Sequence, residues 1–307
     1  MTNKMVCDLE TGVCGETSDN DLETIDLNQP QKKITLYYVT DPICSHCWAL
    51  EPVLRKFEEQ FGHYFELHTV MGGLLENWDG FADVANGIGS PSDVAGHWRE
   101  VGEYSRMPID GTLWLDNPVQ SSYTPSRVFK MVQQKDEHLA RTFLRRAREA
   151  VFAFNQNIGD EQVLINIVNQ IGLNGEQVVR ESGLSDGLEY LSQDLTFAKS
   201  LGVRGFPTVI MVNEENKGVK IVGSRPLENY IKGLEQILGG TESVKGKTPP
   251  LLTNLLEKEG LLFAKEIEVL YDLEPTEVNT FIQEALPSND YVLREILGET
   301  YIVKESY

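Results

Sequence analysis

Basic residues are scarce in this 307-residue chain: 27 Lys and Arg stand against 47 Asp and Glu, a formal net charge of -20. Nucleic-acid affinity rests mainly on neutralising phosphates, so a deficit of that size excludes DNA or RNA as the main partner and disfavours anionic membrane faces. Long apolar runs are missing too. No stretch reaches the roughly eighteen consecutive apolar residues of a transmembrane helix, so no membrane partner is expected. The opening segment MTNKMVCDLETGVCGETSDND has neither the apolar region nor the small-residue cleavage site of a secretory signal. A cytoplasmic location is the expectation. Cysteine is rare, 4 in all, and in a reducing compartment cysteines serve catalysis, redox sensing or metal binding more often than structural disulfides. No repeat of fixed period occurs, and neither Gly72-Gly73 nor Gly87-Ile88-Gly89 belongs to a phosphate-binding glycine loop.

What is present divides the chain. Residues 1–32 are acidic and lack hydrophobic periodicity, so they read as a loose N-terminal tail carrying Cys7 and Cys14. Ile34-Thr35-Leu36-Tyr37-Tyr38-Val39 has the β-branched and aromatic composition of a buried strand, ending at Thr40-Asp41-Pro42. Apolar residues from Trp48 to Phe61 fall at helical spacing, and Phe65–Met71 reads as a second strand. Helical stretches follow, clearest at Ser126–Gln134, Leu139–Asn155 and Glu161–Ile171, before strands at Thr208–Asn213 and Val219–Val222 and a helix at Pro226–Leu238. The order β-α-β, helical block, β-β-α makes an α/β core of residues 33–75 and 196–240, interrupted by a helical insertion at 76–195. A Gly/Pro linker precedes residues 250–307, expected as a small C-terminal, mostly helical, winged-helix-like domain with helices at Leu251–Leu270 and Pro275–Leu286 and a closing hairpin about Gly298.

The sharpest motif is Cys44-Ser45-His46-Cys47, between the first strand and its helix. Two cysteines three apart in a first helical turn share a face and can meet the Cα spacing of a disulfide. Free N–H groups and the positive end of the helix dipole favour a thiolate at Cys44, and a protonated His46 would add to that. Cys44 is therefore expected to be the exposed nucleophile and Cys47 the shielded resolving thiol, with a redox-active Cys44–Cys47 disulfide in place of any cofactor. The alternative is half of a zinc site, which needs two further ligands; only Cys7 and Cys14 offer them, and they read equally as a local disulfide or free thiols, so no metal is assigned. Gly205-Phe206-Pro207-Thr208 stands just before a strand, where proline is tolerated.

Together these residues resemble the DsbA family of the thioredoxin fold: Asp41-Pro42-Ile43-Cys44-Ser45-His46-Cys47-Trp48, Pro52, the long helical insertion, and Val203-Arg204-Gly205-Phe206-Pro207-Thr208. The resemblance covers about residues 33–240. It implies a thioredoxin-like fold with a DsbA-type insertion and a cis Pro207 packed against the cysteines. Catalytic roles then fall to Cys44, Cys47, His46 and Pro207, and substrate contacts to Ser45, Trp48, Gly205, Phe206 and Thr208. Two cytoplasmic branches are similar: the FrnE-like dithiol-disulfide isomerases, and the Bacillota ClpXP adaptors of the YjbH/SpxH branch, which deliver the regulator Spx for degradation. The adaptor likeness includes Cys47-Trp48-x-Leu50-Glu51-Pro52 and, near the end, Lys265-Glu266-Ile267 with Val269 to Asp272-Leu273.

The segment Asn117–Pro125 either lines a substrate groove or is a capped loop before a helix. Residues 250–307 carry 4 basic against 12 acidic residues, which fits protein docking or packing rather than DNA binding. The expected function is that of an enzyme, a cytoplasmic thiol–disulfide oxidoreductase or isomerase acting on protein thiols and disulfides, for which residues 250–307 are dispensable if the core stays folded without them. The alternative is a non-catalytic adaptor that holds a ClpXP client regulator.

Overall fold

The computed structural model describes residues 34–240 and 243–305. Cys7, Cys14 and the acidic tail lie outside the described residues. The chain runs β1 (Ile34–Thr40), α1 (Ser45–Phe61) and β2 (Phe65–Met71), and then the insertion: α2 (Pro91–Ser105), α3 (Leu113–Asp116), α4 (Tyr123–Gln133), α5 (Glu137–Arg148), α6 (Glu161–Gln170), α7 (Gly175–Ser182) and α8 (Ser185–Ser200). It returns through β3 (Thr208–Asn213), β4 (Gly218–Val222) and α9 (Leu227–Ile237). The last part holds α10 (Leu252–Glu259), β5 (Leu261–Phe263), α11 (Ala264–Tyr271), α12 (Val278–Ala285), β6 (Tyr291–Ile296) and β7 (Glu299–Lys304).

The main sheet has the order β2-β1-β3-β4, with β1 parallel to β2 and antiparallel to β3, and β3 antiparallel to β4. This is the thioredoxin-like arrangement expected. Alternation along β1 decides what packs on each face. Ile34, Leu36 and Tyr38 join Leu50, Leu54 and Phe57 of α1 and Tyr230 and Leu234 of α9 in one cluster. Val39 meets Val70 and Ala198 of α8 on the other face, with Tyr37, Phe197 and Phe206 beside them.

Several helix limits differ from expectation, two of them for a plain physical reason. The helix expected at Ser126 begins at Tyr123, because Pro125 in a first turn forfeits only an N–H that has no helical partner. The single helix expected over Leu251–Leu270 is broken. Gly260 takes a left-handed conformation (φ 69°) and its N–H closes α10 on the Leu256 carbonyl at 2.8 Å, after which Leu261–Phe263 pairs with β7. The expected hairpin forms, Ile296 opposite Glu299. Leu252, Leu256, Ile267, Leu270 and Ile302 make a local cluster, whereas Phe263 and Tyr301 join the larger core of the insertion.

Candidate functional site

Asp41 anchors the turn that presents the cysteines. Its carboxylate is wholly buried and accepts hydrogen bonds from the Ile43 N–H (3.1 Å), the Leu74 N–H (2.8 Å) and the Ser122 hydroxyl (2.7 Å), joining the end of β1 to the loop after β2 and to α4. Burial raises its pKa in spite of those bonds. Cys44 is the N-cap of α1, and the Cys47 N–H donates to its sulfur at 3.2 Å. The helix continues past Pro52 to Phe61.

The thiols keep the expected order of accessibility but not the expected exposure or acidity. Cys44 is 5% exposed and Cys47 not at all. Burial, together with the hydrogen bond and charge shared with Cys47, pushes the Cys44 thiol well above its ordinary value. Burial opposes ionisation of Cys47 as well, but the hydrogen bond from Cys44, the Arg148 guanidinium and Thr40 hold it below the ordinary value. The charge therefore favours the inner sulfur, and Cys44 is not the exposed thiolate that its helix position suggested. His46 is exposed, its ring 5.3 Å from that of His97 of α2. Loss of hydration and the neighbouring His97 lower its pKa, so it is neutral at pH 7 and supplies no cation to Cys44.

Behind the cysteines stands Arg148, the last residue of α5 and fully buried. It donates to the Glu51 carboxylate, to the Thr40 hydroxyl and, at 3.3 Å, to the Asp41 carbonyl. Trp48 is sealed in: its N–H donates to the Pro108 carbonyl at 3.0 Å, Phe152 stacks on it, and the Arg145 guanidinium lies 4.9 Å from its ring centre. Arg145 in turn grips buried Glu266 of α11 with two hydrogen bonds of 2.8 and 2.7 Å. None of Asp41, Glu51, Arg145 and Arg148 was singled out from sequence for a role at the site.

The Phe206–Pro207 peptide bond is cis, as the resemblance implies. A cavity of about 750 Å³ opens beside Cys44, Ser45 and His46. Gly205 and Phe206 form one wall, and the insertion supplies the other through Trp78, His97, Trp98 and Trp114. A side chain at Gly72 would strike the Phe206 ring, its Cβ falling 1.9 Å from a ring carbon, so glycine lets that ring settle at the wall. Of the expected substrate contacts, Ser45, Gly205 and Phe206 reach this groove. Trp48 and Thr208 do not: both are buried, and the Thr208 hydroxyl donates to the Gly205 carbonyl at 2.8 Å. Pro207 is also buried. Asn117–Pro125 is divided, with Trp78 donating to the Val119 carbonyl at 3.0 Å and Tyr123–Pro125 opening α4. A second cavity, of about 160 Å³, lies between α1, α5 and α10 among charged groups already engaged with one another.

Residues 37–232 match the thioredoxin family model. The chain is 32% identical over 278 residues to the ClpXP adapter protein SpxH of Halalkalibacterium halodurans, covering 89% of this chain and 88% of that one. It is 30% identical to the SpxH of Bacillus subtilis, covering 81% and 82%. A solved structure from Nitrosomonas europaea superposes with a TM-score of 0.56 at 16% identity, over 68% of this chain and 97% of that one. The cytosolic disulfide reductase DsbM of Pseudomonas aeruginosa does so with 0.50 at 18% identity, over 61% and 88%. At those identities the two structures speak for the fold alone. The expectation of an enzyme is corrected by the curated relatives: those that span most of the chain are named as adapter proteins, not as oxidoreductases.

Proposed function

The chain belongs to the SpxH family of thioredoxin-fold proteins, and from that membership we propose that it is an adaptor: it binds a regulatory protein of the Spx kind and delivers it to the ClpXP protease. The observation that carries this reading is the 32% identity to a ClpXP adapter protein along 89% of the chain, which reaches well beyond the cysteine motif. The chemistry of the cysteines supports it. Delivery needs a shaped, stable surface, whereas turnover of disulfides needs an accessible thiolate, and the thiol that faces the groove is buried and held protonated. We assign the client to the groove beside Cys44, where half-buried Trp78 and Phe206 offer aromatic area of the kind typical of strong protein contacts, with buried Trp98 and Trp114 behind them.

The test is reconstituted degradation of purified Spx by Bacillus subtilis ClpXP, with and without this chain. The Cys44→Ala/Cys47→Ala variant is expected to accelerate Spx loss as the unaltered chain does, and Trp78→Ala in the groove wall to weaken Spx binding about tenfold. A double cysteine variant that folds, binds Spx normally and no longer accelerates its degradation would sink the reading.

A further inference from the structure

We propose that Asn86 is a site of spontaneous deamidation, and that its conversion to aspartate or isoaspartate remodels the groove wall supplied by the insertion. The modification stands apart from the adaptor reading; only its consequence for Spx rests on that reading. In an Asn-Gly pair the backbone nitrogen of glycine can reach the asparagine amide with no Cβ to crowd the approach. The chain has two such pairs, Asn86-Gly87 and Asn174-Gly175, and the structure sets them apart. Asn86 ends the single 3-10 turn Val84–Asn86, and both it and Gly87 are exposed. Gly87 is left-handed (φ 68°), and a Cβ there would meet nothing within 4 Å. Its N–H makes only a long bond, 3.3 Å, to the Val84 carbonyl, so this solvated turn opens at little cost. Asn174 is instead the N-cap of α7, its side-chain oxygen accepting the Gln177 N–H at 3.0 Å. The Gly175 N–H is bound to the Asn169 side chain at 2.9 Å. A Cβ on buried Gly175 would fall 2.3 Å from the Ile165 carbonyl oxygen, so a ring has no room to close there.

The Gly87 nitrogen attacks the side-chain carbonyl carbon of Asn86. As the new C–N bond forms, the amide nitrogen leaves as ammonia, taking the proton lost by Gly87. Water then opens the five-membered ring at one carbonyl or the other. One opening leaves aspartate; the other leaves isoaspartate, with the main chain rerouted through the former side chain. Either product undoes a local contact, because the Asn86 amide donates to the Asp83 carboxylate at 2.7 Å. Deamidation replaces that donor with a second negative charge set against the first. Isoaspartate also adds a backbone carbon inside a turn that Asp83 and Ile88 close with reciprocal hydrogen bonds of 2.8 and 2.9 Å. Asp83, Val84, Asn86 and Ile88 all line the groove beside Cys44, so the change is delivered to the client site.

The full chain is held at pH 8 for several days and sampled by peptide mapping, with isoaspartate read by protein isoaspartate methyltransferase and labelled S-adenosylmethionine. The Asn86 peptide is expected to convert at least about tenfold faster than the Asn174 peptide, since reaction at Asn174 must await opening of α7. In urea the two peptides are expected to convert alike. Equal rates in the folded chain overturn the assignment, and so does a preference for Asn86 that persists unchanged in urea, which would owe nothing to the fold. The groove is tested with Asn86→Asp, which is expected to shift the tryptophan emission and to bind purified Bacillus subtilis Spx about tenfold more weakly. Asn86→Ala, which loses the amide without gaining a charge, is expected to lose less. Asn86→Asp with unaltered emission and unaltered Spx binding overturns the remodelling. If the unaltered chain binds no Spx, the adaptor reading falls, while the peptide maps and the emission still decide the modification and its effect on the wall.

Discussion

Phe263 meets the indole of Trp48 edge to face, with ring centroids 5.6 Å apart, so the residue that follows Cys47 is packed by the last fifth of the chain. Tyr301 continues the contact, lying 5.8 Å from Phe263 and 6.0 Å from Phe154. Charged groups follow the same seam: Glu266 of α11 is almost fully buried and takes Arg145 of α5, while Glu259 takes Arg55 of α1. Residues 250–307 therefore pack into the core, so the condition on which they were expected to be dispensable, that the core stays folded without them, is put in question by these contacts. A chain ending at Pro249 should lose its cooperative thermal transition and its near-ultraviolet circular dichroism, because Arg55 would lose both its carboxylates, Arg145 would keep only Glu149, and Trp48 would lose one of its covers. The milder Phe263→Ala should cost about 3–5 kcal/mol in urea unfolding. A truncated chain that melts cooperatively at the unaltered temperature would refute the shared core.

Much of this was legible. The strands Phe65–Met71 and Thr208–Asn213 have the limits their composition suggests, since a sheet covered on both faces demands the same apolar, β-branched residues that mark a strand in sequence. The groove was half legible. Cys44, Ser45, Gly205 and Phe206 are marked by local motifs, but its opposite wall of Trp78, His97, Trp98 and Trp114 comes from the insertion and carries no pattern beyond that of core residues. The buried charges were legible only as a pair of stripes. Glu51, Arg55 and Glu58 of α1 and Arg141, Arg145 and Arg148 of α5 each follow an i, i+4, i+7 spacing, and Arg148 pairs with Glu51 as Arg141 pairs with Glu58. Each stripe alone reads as an ordinary solvated face, and nothing in one of them names the other.

The Arg148–Glu51 pair yields a stability prediction. The guanidinium is fully buried, while the Glu51 side chain is 17% exposed, so the two partners are not equivalent. Glu51→Gln leaves a buried cation without its carboxylate and should cost about 3–5 kcal/mol. Arg148→Met should cost less, because Glu51 keeps some access to water. Equilibrium urea titrations of the two variants would check the order, and a larger loss for Arg148→Met would contradict it.

Thiol labelling should follow burial rather than helix position. Cys44 is the more accessible sulfur but is held protonated, and Cys47 is the more acidic but is inaccessible. Iodoacetamide should therefore label neither rapidly in the folded, reduced protein at pH 7. As pH rises past the ordinary thiol range, Cys44 should react first, the reverse of the mildly acidic labelling expected of an activated nucleophile. Peptide mapping after timed quenching reads the sites. Rapid modification of Cys44 at pH 6 would restore the activated-thiolate reading of the motif.

Acid should loosen the seam at Glu259. Burial alone would raise this carboxyl, but Arg55, at 2.6 Å, together with Arg145 and Lys258, holds it down at about 2. In the unfolded chain it titrates near the ordinary glutamate value, so between the two values the unfolded state binds the extra proton. Its contribution is thus fully present above about pH 4.5 and is lost as pH falls toward 2, on the order of 3 kcal/mol in total. Glu259→Gln should accordingly be less stable than the unaltered chain at pH 7 by about that amount, with the gap closing as the pH is lowered through this window. Urea midpoints measured for both proteins at pH 7, 5, 4 and 3 give the comparison. A gap that stayed constant with pH would mean that Glu259 contributes packing rather than charge, and the seam would then be held by Glu266 and the aromatic contacts alone.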